Sequence, residues 1–223
     1  MFSEQQLGVL PLWYVAFLLS LTCHEASHAL VAMWGGDPTA YHSGQVTLNP
    51  WPHMRREPFG TIFVPLLSFL IGGSMLGWGS APYDPRWEQR HPKRAALMAL
   101  AGPTANFLLA IVSILLIRVV VKIGIQQAGA GSPAFVGADV TQGIFFFLNI
   151  MFMLNVLLGC FNLIPVFPLD GHAAIGLLLP EQMFQKWLGF IRSPTWSLLG
   201  LLVAWRAVDY IYFPVLSMFR RIF

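Results

Sequence analysis

Residues 9–34 read VLPLWYVAFLLSLTCHEASHALVAMW. Apart from His24, Glu25 and His28 the run is apolar or nearly so, and as a helix its 26 residues reach about 39 Å, more than the ~30 Å hydrocarbon core of a bilayer. The rest of the chain decides whether this is a membrane span or a buried soluble helix. Hydrophobic residues make up 56% of the 223 positions and charged residues only 10%, where soluble domains carry about 25% charge. Too little charge is present to cover a water-facing surface, so the chain reads as an integral membrane protein. The same aliphatic and aromatic richness excludes disorder. A net charge of +3 spread over thirteen scattered basic residues makes no basic face, so nucleic acid is not an expected partner.

Three further stretches have the length and composition of spans: 95–122, 143–164 and 195–217. A fifth, 60–80, is apolar but holds Pro65 and frays through Gly72, Gly73, Gly77 and Gly79. That density of breakers predicts a re-entrant segment covered by other protein. Residues 44–50 alternate apolar and polar up to Pro50 and predict a short β element, while 126–143 predict a plain loop. The fold class expected is therefore all-α and polytopic, about four spanning helices plus a re-entrant segment and a short strand. It forms a single domain over 1–223, because no loop is long enough for an accessory domain and no internal repeat is visible. Cys23 and Cys160 lie in apolar blocks and suggest no disulfide framework. The first basic residue is Arg55, so the first apolar segment is not an ordinary secretory signal and is expected to be retained.

Basic residues argue for the re-entrant reading. If 60–80 crossed, the flanking Lys and Arg would divide six and six. If it re-enters, one side holds Arg55, Arg56, Arg86, Arg90, Lys93, Arg94, Lys186 and Arg192, and the other keeps Arg118, Lys122, Arg220 and Arg221. Only this eight-to-four division produces a positive-inside bias, and it makes the eight-residue side cytosolic.

The chemistry is concentrated in His24-Glu25-Ala26-Ser27-His28. Chance supplies about 0.004 such His-Glu-x-x-His patterns in a chain of this composition. Helical i and i+4 positions share a face, so both imidazoles can reach one ion and Glu25 can serve a bound water as general base. Charged groups inside a span are costly and normally functional. A hydrolytic zinc takes three protein ligands, and Asp170 is a candidate for the third. It follows Pro165 and Pro168, which should break the helix. Asp170 reads either as that ligand or as a cap on a helix beginning at 171. The re-entrant topology would run 143–164 parallel to the first span and bring Asp170 to the side of His24 and His28; a crossing 60–80 would put it on the opposite side.

These residues resemble the site-2 protease family of intramembrane zinc metalloproteases, in a minimal form without a PDZ or CBS domain. The resemblance rests on His24-Glu25-x-x-His28 in an apolar helix, on Gly102-Pro103-Thr104-Ala105-Asn106, and on Asn162, Pro165 and Pro168-Leu169-Asp170-Gly171, in the family's order. It implies zinc on His24, His28 and Asp170, Glu25 as catalytic base, and Asn106 and Asn162 as residues that hold the substrate or its oxyanion. It also implies a three-helix core open toward the cytosol of a prokaryotic cell membrane. The stretch Leu48-Asn49-Pro50-Trp51-Pro52-His53 looks like the signature of a compact bacterial and archaeal group. That group usually has an acid soon after the histidine, where Met54-Arg55-Arg56 stand here. His172-Ala173 likewise replaces the family's frequent Gly-Arg.

Two more histidines are candidates for lesser roles, His53 as a gate or extra ligand and His172 as an outer partner of Asp170 or a proton shuttle. Arg206 and Asp209 in the last span are expected to pair with each other. The function expected is hydrolysis of a peptide bond in or near a transmembrane helix of a membrane-protein substrate within the lipid bilayer. The strand at 44–50 would accept the unwound substrate by edge addition. The competing readings are a zinc-binding membrane regulator that does not cleave, and a metal or proton transporter.

Overall fold

The computed structural model describes residues 4–129 and 138–223. In chain order its elements are α1 (Glu4–Trp34), α2 (Thr39–His42), α3 (Pro50–Arg56), a π-helical turn (Phe59–Phe63) running into α4 (Val64–Gly72), and α5 (Pro85–Arg90). Then come α6 (Pro92–Gly129), α7 (Ala138–Asn162), α8 (Gly171–Ala174) with a 3₁₀ turn (Ile175–Leu177), α9 (Glu181–Ile191) and α10 (Pro194–Ile222). Among the described residues four helices are long and apolar enough to cross a membrane: α1, α6, α7 and α10. They correspond to the four stretches expected from composition, lengthened at most ends, although α7 stops at Asn162, two residues short of the expected 164. Of the loop expected at 126–143, residues 126–129 and 138–143 are instead helical, as the ends of α6 and α7, and 130–137 lie outside the described residues.

Side-chain pairing fixes the directions. Ala16 packs with Ile150 and Met151, and a turn further on Phe17 and Leu21 pack with Leu154, so α1 and α7 run parallel. Phe107 lies against Gly159, while Ala110 and Ile114 meet Phe152 and Val156, so α6 is antiparallel to α7. Outside them, α10 sets Ala204 and Val208 beside Ile164, and Leu216 and Phe219 beside Phe152, again antiparallel to α7. Without a hydrophobic drive between helices in lipid, close approach depends on small residues. Ala29, Ala32, Ala95, Ala96 and Ala99 are all buried and are spaced so that α6 can lie close to α1.

Two expectations need correction. No strand forms at 44–50: among the described residues there are no β-strands, and this segment is a turn followed by bends. Its alternation is overruled by local hydrogen bonds from side chains. Asn49 accepts from the Trp51 amide and caps α3, Thr47 Oγ1 accepts from the Asn49 amide, and His53 Nε2 donates to the Thr47 carbonyl. The Arg206–Asp209 pair is also not formed, because no ion pair among the described residues includes either side chain.

The apolar stretch at 60–80 doubles back on itself. Its helical part, Phe59–Gly72, is about 21 Å long and too short to cross the hydrocarbon core. Gly73 ends it with φ of 73°, a left-handed cap that favours glycine. The returning chain then donates from the Leu76 amide to Ser68 Oγ and from the Trp78 amide to the Gly60 carbonyl, at 2.9 and 3.1 Å. A Cβ at Gly77 would collide with that same Gly60 carbonyl, so the two arms touch at glycine.

Candidate metal centre

His24 and His28 sit one turn apart on α1, both at most 6% exposed, with their rings edge to face and centroids 4.6 Å apart. Their Nε2 atoms lie 3.0 Å from each other. Asp170 approaches from the turn after α7, with Oδ2 3.0 Å from His24 Nε2 and Oδ1 3.3 Å from His28 Nε2. One donor atom from each of the three lies within 4.8 Å of the others. Asp170 occupies the N-cap position of α8 yet gives that helix no side-chain hydrogen bond. Its carboxylate is turned to the histidines, and of the two roles open from the sequence the cap is not the one adopted.

The outer nitrogens of both rings fix their tautomers. His28 Nδ1 donates to the Met98 carbonyl at 2.7 Å. His24 Nδ1 donates to Asn106 Oδ1 at 2.6 Å, because the Asn106 amide nitrogen is turned toward Asn155 Oδ1 and the Ser20 carbonyl. Neutral imidazoles held this way present lone pairs, not hydrogens, at both Nε2 atoms. Three acceptors therefore converge, and Asp170 Oδ2 is buried without a hydrogen-bond partner. A cation resolves this arrangement, and two imidazole nitrogens with one carboxylate match the ligand chemistry of hydrolytic zinc.

Backbone closes the centre from two sides. A Cβ at Gly102 of α6 would overlap His28 Nε2 and stand 2.6 Å from His24 Nε2. A Cβ at Gly79, on the returning arm, would lie 2.7 Å from Oε1 of Glu25. Glu25 is thus a buried side chain beside the two histidines and under the 79 backbone. The arm is pinned there by Ser80 Oγ, which donates to Glu57 Oε1 and accepts from Arg56 Nε. Gly171 allows the Asp170 turn to seat on the end of α7, where a Cβ would strike the Leu163 and Ile164 carbonyls.

The remaining candidates fall in different places. Asn106 is fully buried, with its amide engaged by His24, Asn155 and Ser20. Asn162, at the end of α7, donates to the Leu158 carbonyl. His53 is buried, Nε2 donates to the Thr47 carbonyl, and Nδ1 has no partner. Both nitrogens of His172 are engaged, Nδ1 donating to the Leu169 carbonyl and Nε2 accepting from Arg192. Burial lowers the pKa of its ring.

The sequence reading missed the supports of this centre. Asn155, a polar residue within an apolar span, donates to Ser20 Oγ at 2.7 Å and links α7 to α1. Its signal was that polarity, which in a span usually marks an interhelical bond. Glu88 and Arg192 form a bidentate pair at 2.6 and 2.9 Å, and Arg192 Nη2 also reaches Tyr83 Oη at 3.4 Å. No local sequence pattern marks a pairing across 104 residues.

Comparison with known proteins agrees with the geometry. The model of peptidase family M50 matches residues 12–191. A Bacillus subtilis protein named "Putative zinc metalloprotease YwhC" is 33% identical over 186 residues, covering 83% of this chain and 77% of its own length. Proteins of Mycolicibacterium smegmatis and Mycobacterium tuberculosis, both named "Putative zinc metalloprotease Rip2", are 31% and 30% identical over 168 residues. Those matches cover 75% of this chain but only 57% of the mycobacterial proteins. No solved structure matches.

Proposed function

Because the chain belongs to peptidase family M50 and is a zinc metalloprotease of the site-2 protease type, we propose that it hydrolyses a peptide bond in or near a transmembrane helix of another membrane protein. The observation that carries this is the depth of the centre. His24 lies ten residues before Trp34 in the span Leu7–Trp34, about 15 Å below that end of the helix. A protease with two of its three metal donors inside a span meets substrate within the bilayer.

His24, His28 and Asp170 hold the zinc, which when bound polarises a peptide carbonyl and lowers the pKa of a water. Glu25 takes the proton of the attacking water on its carboxylate and delivers it to the leaving amine. Asn106, as the acceptor for His24 Nδ1–H, keeps Nε2 aimed at the metal position; Asn162, at the mouth formed by the end of α7, is the residue left to meet substrate. His53 ties α3 back to the Thr47 carbonyl, and His172 secures the Asp170 turn through Leu169 and Arg192.

The short apolar hairpin at 59–80 enters and leaves from the cytosolic side, supported by its length and by the eight basic residues on that side. The centre then opens toward the cytosol of a bacterial cell membrane. An unwound substrate needs a backbone edge to replace its helical bonds. With 44–50 folded as bends, the non-helical arm 75–84, which passes over Glu25 at Gly79, is the available edge. The test is Glu25→Gln in membranes with a transmembrane substrate: zinc should stay at parent level while cleavage falls by at least 10²-fold. Full cleavage with zinc bound would remove Glu25 from the reaction.

A further inference from the structure

The outer face of α10 carries a feature that proteolysis does not use. Arg206 lies twelve residues past Pro194 and sixteen before Ile222, and Asp209 fifteen and thirteen. Both are therefore near the middle of a helix long enough to span. Both are exposed, and neither takes part in an ion pair among the described residues. Around them on the same face are Leu199, Leu202, Tyr210 and Phe213, which are 48%, 60%, 84% and 59% exposed. The opposite face is spent on the bundle, where Ala204, Val208 and Phe219 are buried, and beyond Pro214 Leu216 is buried as well. Two opposite charges facing lipid at mid-span are too costly to leave bare, and such groups face protein or a polar cavity.

We propose that this face binds a second copy of the same chain, with Arg206 of each copy paired to Asp209 of the other. Self-complementarity is what selects the occupant. A twofold axis along the membrane normal sets two α10 helices parallel, and an isologous contact makes each pairing occur twice. The charges stand three residues apart, about 4.5 Å along the axis, a stagger that an arginine side chain bridges. Leu202 and Phe213 lie on the same line of the helix, one above and one below the charges, and would meet their own counterparts. The inference does not depend on what the zinc centre cleaves.

The test is cross-linking in native membranes with Leu202→Cys or Phe213→Cys and a thiol cross-linker, the parent with its own Cys23 and Cys160 serving as control. A cross-linked pair is expected with either added cysteine and not with the parent. In that background Arg206→Asp, or Asp209→Arg, should lower it roughly tenfold or more. Co-expressing the two charge variants should restore it, because one copy then brings two acids and the other two bases. The neutral Arg206→Gln and Asp209→Asn variants are read in parallel, with zinc content as the check on folding. Dimer cross-linking absent at both positions, insensitive to every charge change, or not restored by mixing folded variants would overturn the proposal. A cross-link to a different protein instead of a second copy would also overturn it.

Discussion

Asn106 Oδ1 lies 2.6 Å from His24 Nδ1, and the amide nitrogen of the same Asn106 lies 2.8 Å from Asn155 Oδ1. Asn155 in turn donates to Ser20 Oγ on α1, four residues before His24. The circuit therefore leaves α1 at one candidate ligand, crosses α6 and α7, and returns to α1 a turn below. Every amide in it is orientated by the next, so the tautomer of His24 is set by three helices together and not by its own backbone.

Breaking that circuit should weaken metal binding without removing a ligand. Asn106→Leu leaves His24 Nδ1–H buried and unpaired, and loss of such an outer partner typically costs 10–100-fold in metal affinity. Asn106→Asp keeps an acceptor for the ring and should hold zinc better than the leucine variant. Asn155→Leu acts only through Asn106 and should fall between that variant and the parent. Competition with a calibrated chelator gives the three affinities, and equal binding in all of them would make the circuit a packing feature alone.

Removing a ligand is more severe. Asp170→Ala should strip zinc from the purified protein at concentrations of free metal that saturate the parent, while far-ultraviolet dichroism stays helical. Metal content per chain is the measurement. Zinc retained at full affinity would mean that Asp170 is only a turn residue and that the third donor lies elsewhere.

Two glycines separate binding from chemistry. Gly102 stands over the two imidazoles and Gly79 over the Glu25 carboxylate. A methyl group at Gly102 must displace His24 or His28, so Gly102→Ala should lose zinc along with activity. A methyl group at Gly79 meets Glu25 first, so Gly79→Ala should keep zinc and lose turnover. Metal content and cleavage rate measured on both variants test this directly. Parallel loss of both properties in Gly79→Ala would place the arm against the metal instead of the base.

What was legible in the sequence was what depends on period and length. The spans follow from apolar runs near 20 residues, and the paired histidines from helical i, i+4 spacing. The approach of Asp170 goes with α1 and α7 running parallel, the arrangement in which the turn after α7 arrives beside His24 and His28. What was not legible depends on contacts between distant segments or on competition among local bonds. The period-2 pattern at 44–50 was outweighed by Asn49, Thr47 and His53, whose side chains satisfy backbone groups that a strand would have paired. Arg206 and Asp209 are spaced to meet on one helix, yet the side chains remain apart on its outer face. The buried ends of Asn155 and Glu88 find partners only once the bundle has formed.

The Glu88–Arg192 pair supplies the last prediction. Glu88 is 4% exposed in its side chain and Arg192 29%, and the pair joins α5 to the end of α9. Arg192 also donates to His172 two residues beyond Asp170, and Lys93 caps the Gly176, Leu177 and Leu179 carbonyls of the same loop. Arg192→Met strands a buried carboxylate, which usually costs about 3–5 kcal/mol; the partial exposure of Arg192 puts the expectation near 2–3 kcal/mol. The double variant Glu88→Gln with Arg192→Met removes the charge with its partner and should recover more than half of that loss. Denaturant unfolding in detergent measures both, and zinc affinity should fall in step because the Asp170 turn loses its tie. A double variant as unstable as Arg192→Met alone would show that the stranded charge is not the cause, and that Arg192 acts through His172 and Tyr83 instead.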